Sequence, residues 1–287
     1  MVSMNRLTRE KREQVIAALV EGNSIRSTVR MTGVAKNTVT KLLVDTGASC
    51  ALYQDRVMRD LPCKRLQCDE IWSFCYSKAK NVPANKRGQF GYGDVWTWTA
   101  ICADTKLIPV WLVADRGADA AWEFMQDLAP RLANRVQLTT DGYRVYLDAV
   151  DEAFRSNIDY AMLVKIYGKD SAEPHTRCSP AKVNGTKREV QIGNPDPKHI
   201  STSNAERANL TMRMSMRRFT RLTNAFSKKI ENHAHAIALH FMHYNFVRIH
   251  QTLKCTPAME AGVTDRLWSV EDIVQLLENS EVERNSN

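Results

Sequence analysis

The pattern of apolar and polar positions over residues 7–46 predicts three short helices separated by turns. Thr8 and Ser24 are candidate N-caps of the first two helices, Gly33 ends the second, and the third is expected to stop near Gly47. Short helices joined by a glycine-containing turn are typical of a helix-turn-helix, which we place at residues 1–47. Its third helix would be the recognition helix, with five exposed residues able to contact phosphates or base edges: Lys36, Asn37, Thr38, Thr40 and Lys41. The alternative is a small helical bundle that does not contact DNA.

The middle of the chain changes to runs rich in β-branched and aromatic residues, interrupted by helical periodicity. Its element order is β-β-β-α-β-α-β, which predicts an α/β fold with a mixed five-stranded sheet and helices on both faces. The predicted strands cover 66–78, 94–104, 107–114, 135–140 and 160–167, and the predicted helices cover 118–133 and 143–155.

The last third of the chain begins with a glycine- and proline-rich stretch, residues 168–201, which predicts an insertion loop. Helices are then predicted at 202–223, 228–248 and 269–279, and the polar residues after 279 are expected to fray. These segments divide the chain into the N-terminal domain, a helical linker at 48–65, a sheet-containing domain at 66–255 and a C-terminal helical tail at 256–287.

Charge narrows the class of partner. The chain has a net charge of +8 and a pI of about 9.1, which favours a polyanionic partner. Residues 67–160 are acidic, with 10 Lys and Arg against 13 Asp and Glu, and lie between two basic segments. The seven cysteines form no C-x-x-C pair, so reduced thiols are favoured over a zinc site. Without an apolar run of about 18 residues or a signal peptide, we expect a soluble cytoplasmic protein.

Three acidic residues stand in places that favour chemistry. Asp69 interrupts an apolar strand, Asp141 ends another strand before a glycine, and Glu206 lies near the start of a long basic helix. Each also has an ordinary explanation: a surface position on an edge strand, a β-turn, or a capping partner of Ser203. The element order allows the first and fourth strands to be neighbours, and the next helix to bring the glutamate to both aspartates. Three carboxylates would supply hard oxygen ligands for two Mg²⁺ ions, which suit phosphoryl transfer.

The helix that follows Glu206 favours DNA as the polyanion. Between residues 198 and 229 there are eight Lys and Arg and a single acid. Arg213 and Arg217 lie seven and eleven residues after Glu206, so we expect them to share its helix face and to contact phosphates. The alternative is a solvated basic face. The histidines at 233, 235, 240 and 243 are expected to be buried or half-buried rather than to bind zinc.

The chain resembles DDE transposases with an RNase H-like core, of the retroviral integrase superfamily, and most of all the insertion-sequence-one type of bacterial transposase. The resemblance covers nearly the whole chain and includes the helix-turn-helix. Its motifs are Cys68-Asp69-Glu70-Ile71-Trp72, Thr140-Asp141-Gly142-Tyr143, Asn204-Ala205-Glu206-Arg207-Ala208-Asn209 and the tract from Tyr244 through Arg248 and His250 to Pro257.

The resemblance implies that Asp69, Asp141 and Glu206 are the catalytic, metal-binding triad, holding two Mg²⁺ ions that Mn²⁺ can replace. It implies 3′-end nicking and strand transfer without a covalent protein–DNA intermediate. The partners would be transposon terminal repeats and target DNA, bound by a homodimer or higher oligomer near the bacterial nucleoid. Arg207 joins Arg213 and Arg217 as an expected DNA contact, and His250 is expected to support the site without being catalytic.

One spacing departs from the family pattern. Sixty-four residues separate Asp141 from Glu206, more than many members of the superfamily have, which leaves Glu173 and Glu189 as rivals for the third acid. Three other functions also stay open: a DNA-binding regulator that has lost catalysis, a metal-dependent RNase H-like nuclease, and a basic scaffold protein without any dependence on divalent metal.

Overall fold

The computed structural model describes residues 6–167, 183–220 and 224–286 of the chain. Its centre is a mixed sheet of six strands in the order β3-β2-β1-β4-β5-β6. The strands are β1 (Arg65–Cys75), β2 (Gly93–Cys102), β3 (Val110–Ala114), β4 (Gln137–Asp141), β5 (Asp159–Tyr167) and β6 (Val183–Ile192).

The first and fourth strands are neighbours, as the element order predicted. β1 pairs with β2 in antiparallel register and with β4 in parallel register. β5 continues the sheet parallel to β4. This mixed sheet with flanking helices is consistent with the RNase H-like fold that the resemblance implied.

The sixth strand corrects the prediction of five strands and of a loop over 168–201. β6 pairs antiparallel with β5 from Tyr160 to Tyr167, and its side chains are exposed or half-buried along its entire length. An edge strand that is polar on both faces carries no apolar alternation, which is the signal on which strand prediction depends. Residues 168–182 of the predicted loop lie outside the described part of the chain.

The first two helices confirm their predicted caps. α1 (Arg9–Val20) begins with the Thr8 hydroxyl accepting from the amide of Lys11, and α2 (Ile25–Thr32) begins with Ser24 accepting from Ser27. Gly33 ends α2 with a φ of 72°, a left-handed conformation that glycine adopts without strain. The predicted three-helix start of the chain is therefore present.

The third helix does not stop near Gly47: α3 runs from Lys36 to Val57 and includes much of the predicted linker 48–65. Gly47 lies at a close crossing with α7 (Ile230–Met242), where a Cβ would sit 2.4 Å from the carbonyl oxygen of His235. Glycine here serves close packing of two helices rather than helix termination. The boundary drawn at residue 47 falls inside a continuous helix.

The remaining helices are α4 (Ala118–Leu128), α5 (Tyr146–Phe154), α6 (Ser203–Ser215), α8 (Pro257–Glu260) and α9 (Val270–Ser286), and α7 continues into a π-helical turn at His243–Val247. The residues after 279 were expected to fray, but residues 280–286 belong to α9. Arg12 of α1 is 6% exposed and its guanidinium lies 3.1 Å from Glu281 and 3.9 Å from Glu278, so α9 is fastened to the start of the chain.

One hydrophobic core connects these layers. Buried residues of α1 and α3, such as Val15 and Leu43, belong to the same cluster as Trp98 of β2 and Phe241 of α7. The N-terminal helices therefore pack as part of the body of the protein. Among the described residues, no helix is long and apolar enough to cross a membrane.

Candidate metal centre

Asp69 and Asp141 are brought together by the parallel pairing of β1 and β4. The last paired residues of these strands are Gln67 and Thr139, and each aspartate lies two residues farther along its own strand. The two aspartates therefore lie at the same level of the sheet, just beyond the last paired residues of β1 and β4. Asp141 is the last residue of β4, and the carboxyl end of a strand is a position at which α/β sheets commonly place ligands, whereas β1 continues past Asp69 to Cys75.

A third carboxylate joins this pair. Within the described residues, oxygen atoms of Asp69, Glu70 and Asp141 lie within 4.8 Å of one another, the one such group of acids, histidines or cysteines. Glu70 is buried and already engaged: it accepts hydrogen bonds from the Tyr146 hydroxyl and from Arg116, whose guanidinium lies 3.0 Å away. Glu70 was part of a motif in the sequence but was not recognised as a member of the cluster.

The cluster is electrostatically costly without a cation. Burial and the neighbouring Asp141 raise the pKa of Asp69 to about 6, against the lowering effect of its hydrogen bonds from the Glu70 amide and Asn209. Burial likewise raises the pKa of Glu70 to about 7, with Asp141 and Asp69 adding to the rise and Tyr146 and Arg116 opposing it. A bound cation would remove this repulsion.

The start of α6 is docked on β1 by a side chain of the sheet. The N-cap Thr202 makes no side-chain hydrogen bond to the helix amides. Instead the Gln67 side-chain oxygen of β1 accepts from the amides of Asn204 at 2.7 Å and Ala205 at 3.2 Å. This contact satisfies open amides of the first turn and fixes the helix that carries Glu206 beside the aspartates.

Glu206 lies next to the cluster but outside it. Its carboxylate accepts from the Lys165 ammonium at 2.6 Å and the Thr202 hydroxyl at 2.7 Å. Burial raises its pKa, but these two hydrogen bonds outweigh burial and lower it. One turn along α6, the Asn209 amide donates to Asp69 at 2.8 Å, so the same helix face does reach the aspartates. The role of Glu206 as the third ligand remains a prediction.

Of the rival glutamates, Glu189 is placed on β6. It forms an ion pair with Lys187 at 2.9 Å and is not in the carboxylate cluster. Glu173 lies outside the described residues.

The predicted DNA-contacting arginines do not all lie on one helix. Arg207 is exposed and Arg213 half-buried on α6, whereas Arg217 is exposed in a short 3-10 helix that follows. The expectation that Arg217 shares the helix face of Glu206 is wrong. Met216 adopts an extended conformation, with φ −130° and ψ 108°, and ends α6 before Arg217.

The five predicted contacts on the third helix occupy the first turns of α3. Lys36, Asn37 and Lys41 are exposed, and Thr38 and Thr40 are half-buried. Lys41 pairs with Asp45 on the same helix. The assignment of these residues to DNA stays a prediction.

His233 and His240 of α7 are buried and His235 is half-buried, as expected, and none belongs to a metal-ligating group among the described residues. Burial lowers the pKa of His233 and His240 to about 3, so both are neutral at physiological pH. His250 hydrogen-bonds Thr252, with no hydrogen bond to the carboxylates among the described residues.

Asn245, in the π-helical turn that follows α7, accepts a hydrogen bond from the amide of Ile108 and donates one to its carbonyl oxygen. These bonds fasten the end of α7 to the segment before β3.

The donor set fits a hard divalent cation. Carboxylate oxygens of Asp69 and Asp141 are the ligands that Mg²⁺ and Mn²⁺ prefer, and both are oriented by other groups. Asn209 and the Glu70 amide fix Asp69, and the Tyr143 amide donates to Asp141 at 2.9 Å. Two residues that position the site, Asn209 and Gln67, were not predicted from the sequence. Asn209 follows Glu206 by three residues, a spacing that would have indicated that both side chains lie on the same face of the helix.

No family model matches the sequence, and no curated protein is significantly similar to it. Solved structures that resemble the chain at low identity include the following three transposase complexes. A piggyBac transposase synaptic complex with hairpin DNA is 10% identical, with a TM-score of 0.38 over 96% of this chain and 72% of that chain. A pre-cleavage Mos1 transpososome and a Mos1 mariner paired end complex with Mn are 10% and 12% identical, with TM-scores of 0.23 and 0.22. This chain covers 61% of each Mos1 chain, and 56% of this chain is matched. Because every TM-score is below 0.5, the chemistry is inferred from the site itself.

Proposed function

We propose that the protein is a DNA transposase of the insertion-sequence-one type, which binds transposon ends and catalyses metal-dependent 3′-end nicking and strand transfer. The observation that carries this proposal is the convergence of Asp69 and Asp141 from neighbouring parallel strands, with Glu206 on the helix that also contacts Asp69. Half-buried carboxylates that repel one another, as Asp69 and Asp141 do, are the arrangement expected of a divalent-cation site.

Asp69, Asp141 and Glu206 would hold two Mg²⁺ ions, or Mn²⁺ in their place. When bound, these ions supply Lewis acidity that activates the attacking oxygen and stabilises the leaving oxygen of a phosphodiester. Asn209 holds the Asp69 carboxylate, and the Tyr143 amide holds that of Asp141. Lys165 neutralises Glu206 in the metal-free protein. Arg207, which is exposed one residue after Glu206, would contact a DNA phosphate.

The test is a joining reaction between a DNA that carries the ends of the element and a target plasmid, with Mg²⁺ or Mn²⁺. We expect Asp69→Asn, Asp141→Asn and Glu206→Gln each to reduce nicking and joining by at least about 100-fold, since losing even a supporting residue of a metal site costs roughly 10- to 100-fold. Binding of the end DNA should persist in all three variants.

Two variants serve as controls. Glu189→Gln removes the rival acid on β6, and Asp151→Asn removes an exposed acid of α5; both should retain wild-type rates. Full activity in Asp141→Asn would contradict the triad. Cleavage without joined product would favour the nuclease, and binding of ends without any metal-dependent chemistry would favour the regulator.

A further inference from the structure

A groove of about 870 Å³ lies between the N-terminal helices and the segment that joins α6 to α7. Its first wall consists of the end of α1 and the first turns of α2 and α3. Its second wall consists of residues 215–218 and 224–229, and its floor is α7. At one point the walls touch: a Cβ on Gly22 would lie 2.8 Å from the carbonyl oxygen of Ser215.

The charge of this groove has one sign. Among the described residues that line it, none is Asp or Glu, and six are Lys or Arg: Arg26, Lys36, Arg217, Arg218, Lys228 and Lys229. None of the six forms an ion pair with a described acid, although many other arginines of the protein do, among them Arg12, Arg116 and Arg131. Six unneutralised cations around one concave surface attract a polyanion rather than a single small anion.

Arg218 is the most constrained of the six. It is half-buried in the wall and donates to the Ser227 hydroxyl at 2.6 Å. Burial lowers its pKa to about 10, so the guanidinium stays charged at neutral pH without an acid beside it. Holding such a charge away from water is costly, and a phosphate in the groove would offset that cost with a charge-assisted hydrogen bond.

Backbone amides also favour the binding of phosphate in this groove. The first turns of α3 and α7 border the groove through Lys36, Asn37 and Lys229, and neither helix has a side-chain cap. Open amides at a helix start bind anionic oxygens and carry no base specificity.

The groove is also linked to the metal centre. Ser215 and Glu206 lie nine residues apart on α6, which corresponds to about 14 Å along the helix. A DNA backbone that passes Ser215 at the edge of the groove would therefore lie about four base-pair steps of 3.4 Å from Glu206 along α6.

We infer that this groove binds the sugar-phosphate backbone of duplex DNA, and that the first turn of α3 contacts phosphates instead of reading base edges. The inference rests on the proposed function for the identity of the polyanion as DNA. It adds four residues to the predicted contacts: Arg26, Arg218, Lys228 and Lys229. It also makes the N-terminal helices one wall of the site and residues 215–218 and 224–229 the other.

The experiment measures the affinity of the full chain for two labelled duplexes of unrelated sequence, without divalent metal, between roughly 50 and 200 mM salt. The variant Lys228→Gln/Lys229→Gln removes two exposed charges of the groove. We expect Kd to rise by more than roughly tenfold at the lower salt, and the slope of log affinity against log salt to flatten by about two. Both duplexes should lose affinity by the same factor, because backbone contacts carry no sequence information.

The matched control is Lys64→Gln/Lys254→Gln, which removes two exposed lysines that do not line the groove and should leave Kd unchanged. A second variant, Arg218→Met, should flatten the slope by about one, and thermal unfolding reports whether it folds. Equal affinity of the groove variant and the wild type would overturn the inference. So would binding to vesicles of anionic phospholipid by a protein that does not bind either duplex.

The result for the groove can be distinguished from the result for transposase activity. Loss of affinity in the groove variant, together with no metal-dependent cleavage by the wild type, would support the groove and contradict the transposase. Metal-dependent nicking and joining by the wild type, together with an unchanged affinity of the groove variant, would support the transposase and contradict the groove.

Discussion

At the scale of single residues, the site is a set of carboxylates whose charges are unfavourable in the metal-free protein. Asp69 shows this most clearly, since burial and Asp141 together raise its pKa to about 6 from an ordinary value of 3.8. A carboxyl group whose pKa is higher in the folded than in the unfolded state favours folding while it is protonated. That contribution is lost as the pH rises through the folded-state pKa.

We therefore expect Asp69→Asn to stabilise the metal-free protein at about pH 8, by roughly 2 to 3 kcal/mol at most, and to change stability little at about pH 4. Thermal unfolding at the two pH values measures this. Added Mn²⁺ should raise the Tm of the wild type but not of the variant. Asp151→Asn is the matched control and should respond as the wild type does. A variant that is less stable than the wild type at pH 8 would contradict the electrostatic account.

The residues also show where sequence reasoning reaches its limit. Asp69 and Asp141 could be predicted to meet because each ends or interrupts a strand and the strand order allows pairing. The place of Glu70 in the cluster could not be predicted, because it depends on contacts with Tyr146 and Arg116, which come from distant segments of the chain. Gln67 is a further case: nothing in its local pattern indicates that it holds the start of α6.

At the scale of elements, α3 is the clearest revision of what the sequence suggested. Gly47 looked like a helix stop, but it is the position at which α3 crosses α7. Glycine predicts a helix end only when no partner needs the space, and sequence alone does not show the partner. For β6 the difficulty is the opposite: the sequence pattern that would indicate a strand is absent, because this edge strand does not alternate apolar and polar residues.

Gly47→Ala tests the crossing. Its methyl group would lie 2.4 Å from a backbone oxygen of His235, and backbone cannot move as a flexible side chain does. We expect a loss of about 1 to 3 kcal/mol in the free energy of unfolding, measured by urea denaturation, even though alanine favours helix. Gly185→Ala is the control, since a Cβ there meets nothing within 4 Å. Equal stability of both variants would mean that the helices are farther apart.

At the scale of the whole molecule, the N-terminal helices and the sheet form one body with a common core. The last helix contributes to this unity, because Glu278 and Glu281 of α9 pair with Arg9 and Arg12 of α1. The Arg12 side chain is almost fully withdrawn from water, so its charge depends on these partners. The sequence predicted a helix at 269–279 within a C-terminal tail and fraying of the polar residues that follow it, and it did not predict the contact with α1.

Glu278→Gln/Glu281→Gln leaves the Arg12 guanidinium buried without an acid of α9. We expect a destabilisation of about 2 to 4 kcal/mol, near the range for breaking a buried ion pair from one side. Urea denaturation at low and high salt measures it, and the difference between variant and wild type should shrink little with salt because Arg12 is buried. Glu283→Gln, an exposed change on the same helix, is the control. An undiminished stability of the double variant would contradict the role of α9 as a fastening element.

The pairing of α1 with α9 has a kinetic consequence. Arg12 and Glu281 are separated by 269 residues, and closing a loop of that length costs about 5 kcal/mol of chain entropy. Nearly the whole chain must be synthesised before this contact can form. The sheet, whose pairs are closer in sequence, can assemble earlier and offer a surface on which both ends of the chain settle. We therefore expect the first helix to gain its protection from hydrogen exchange late in folding, together with the last.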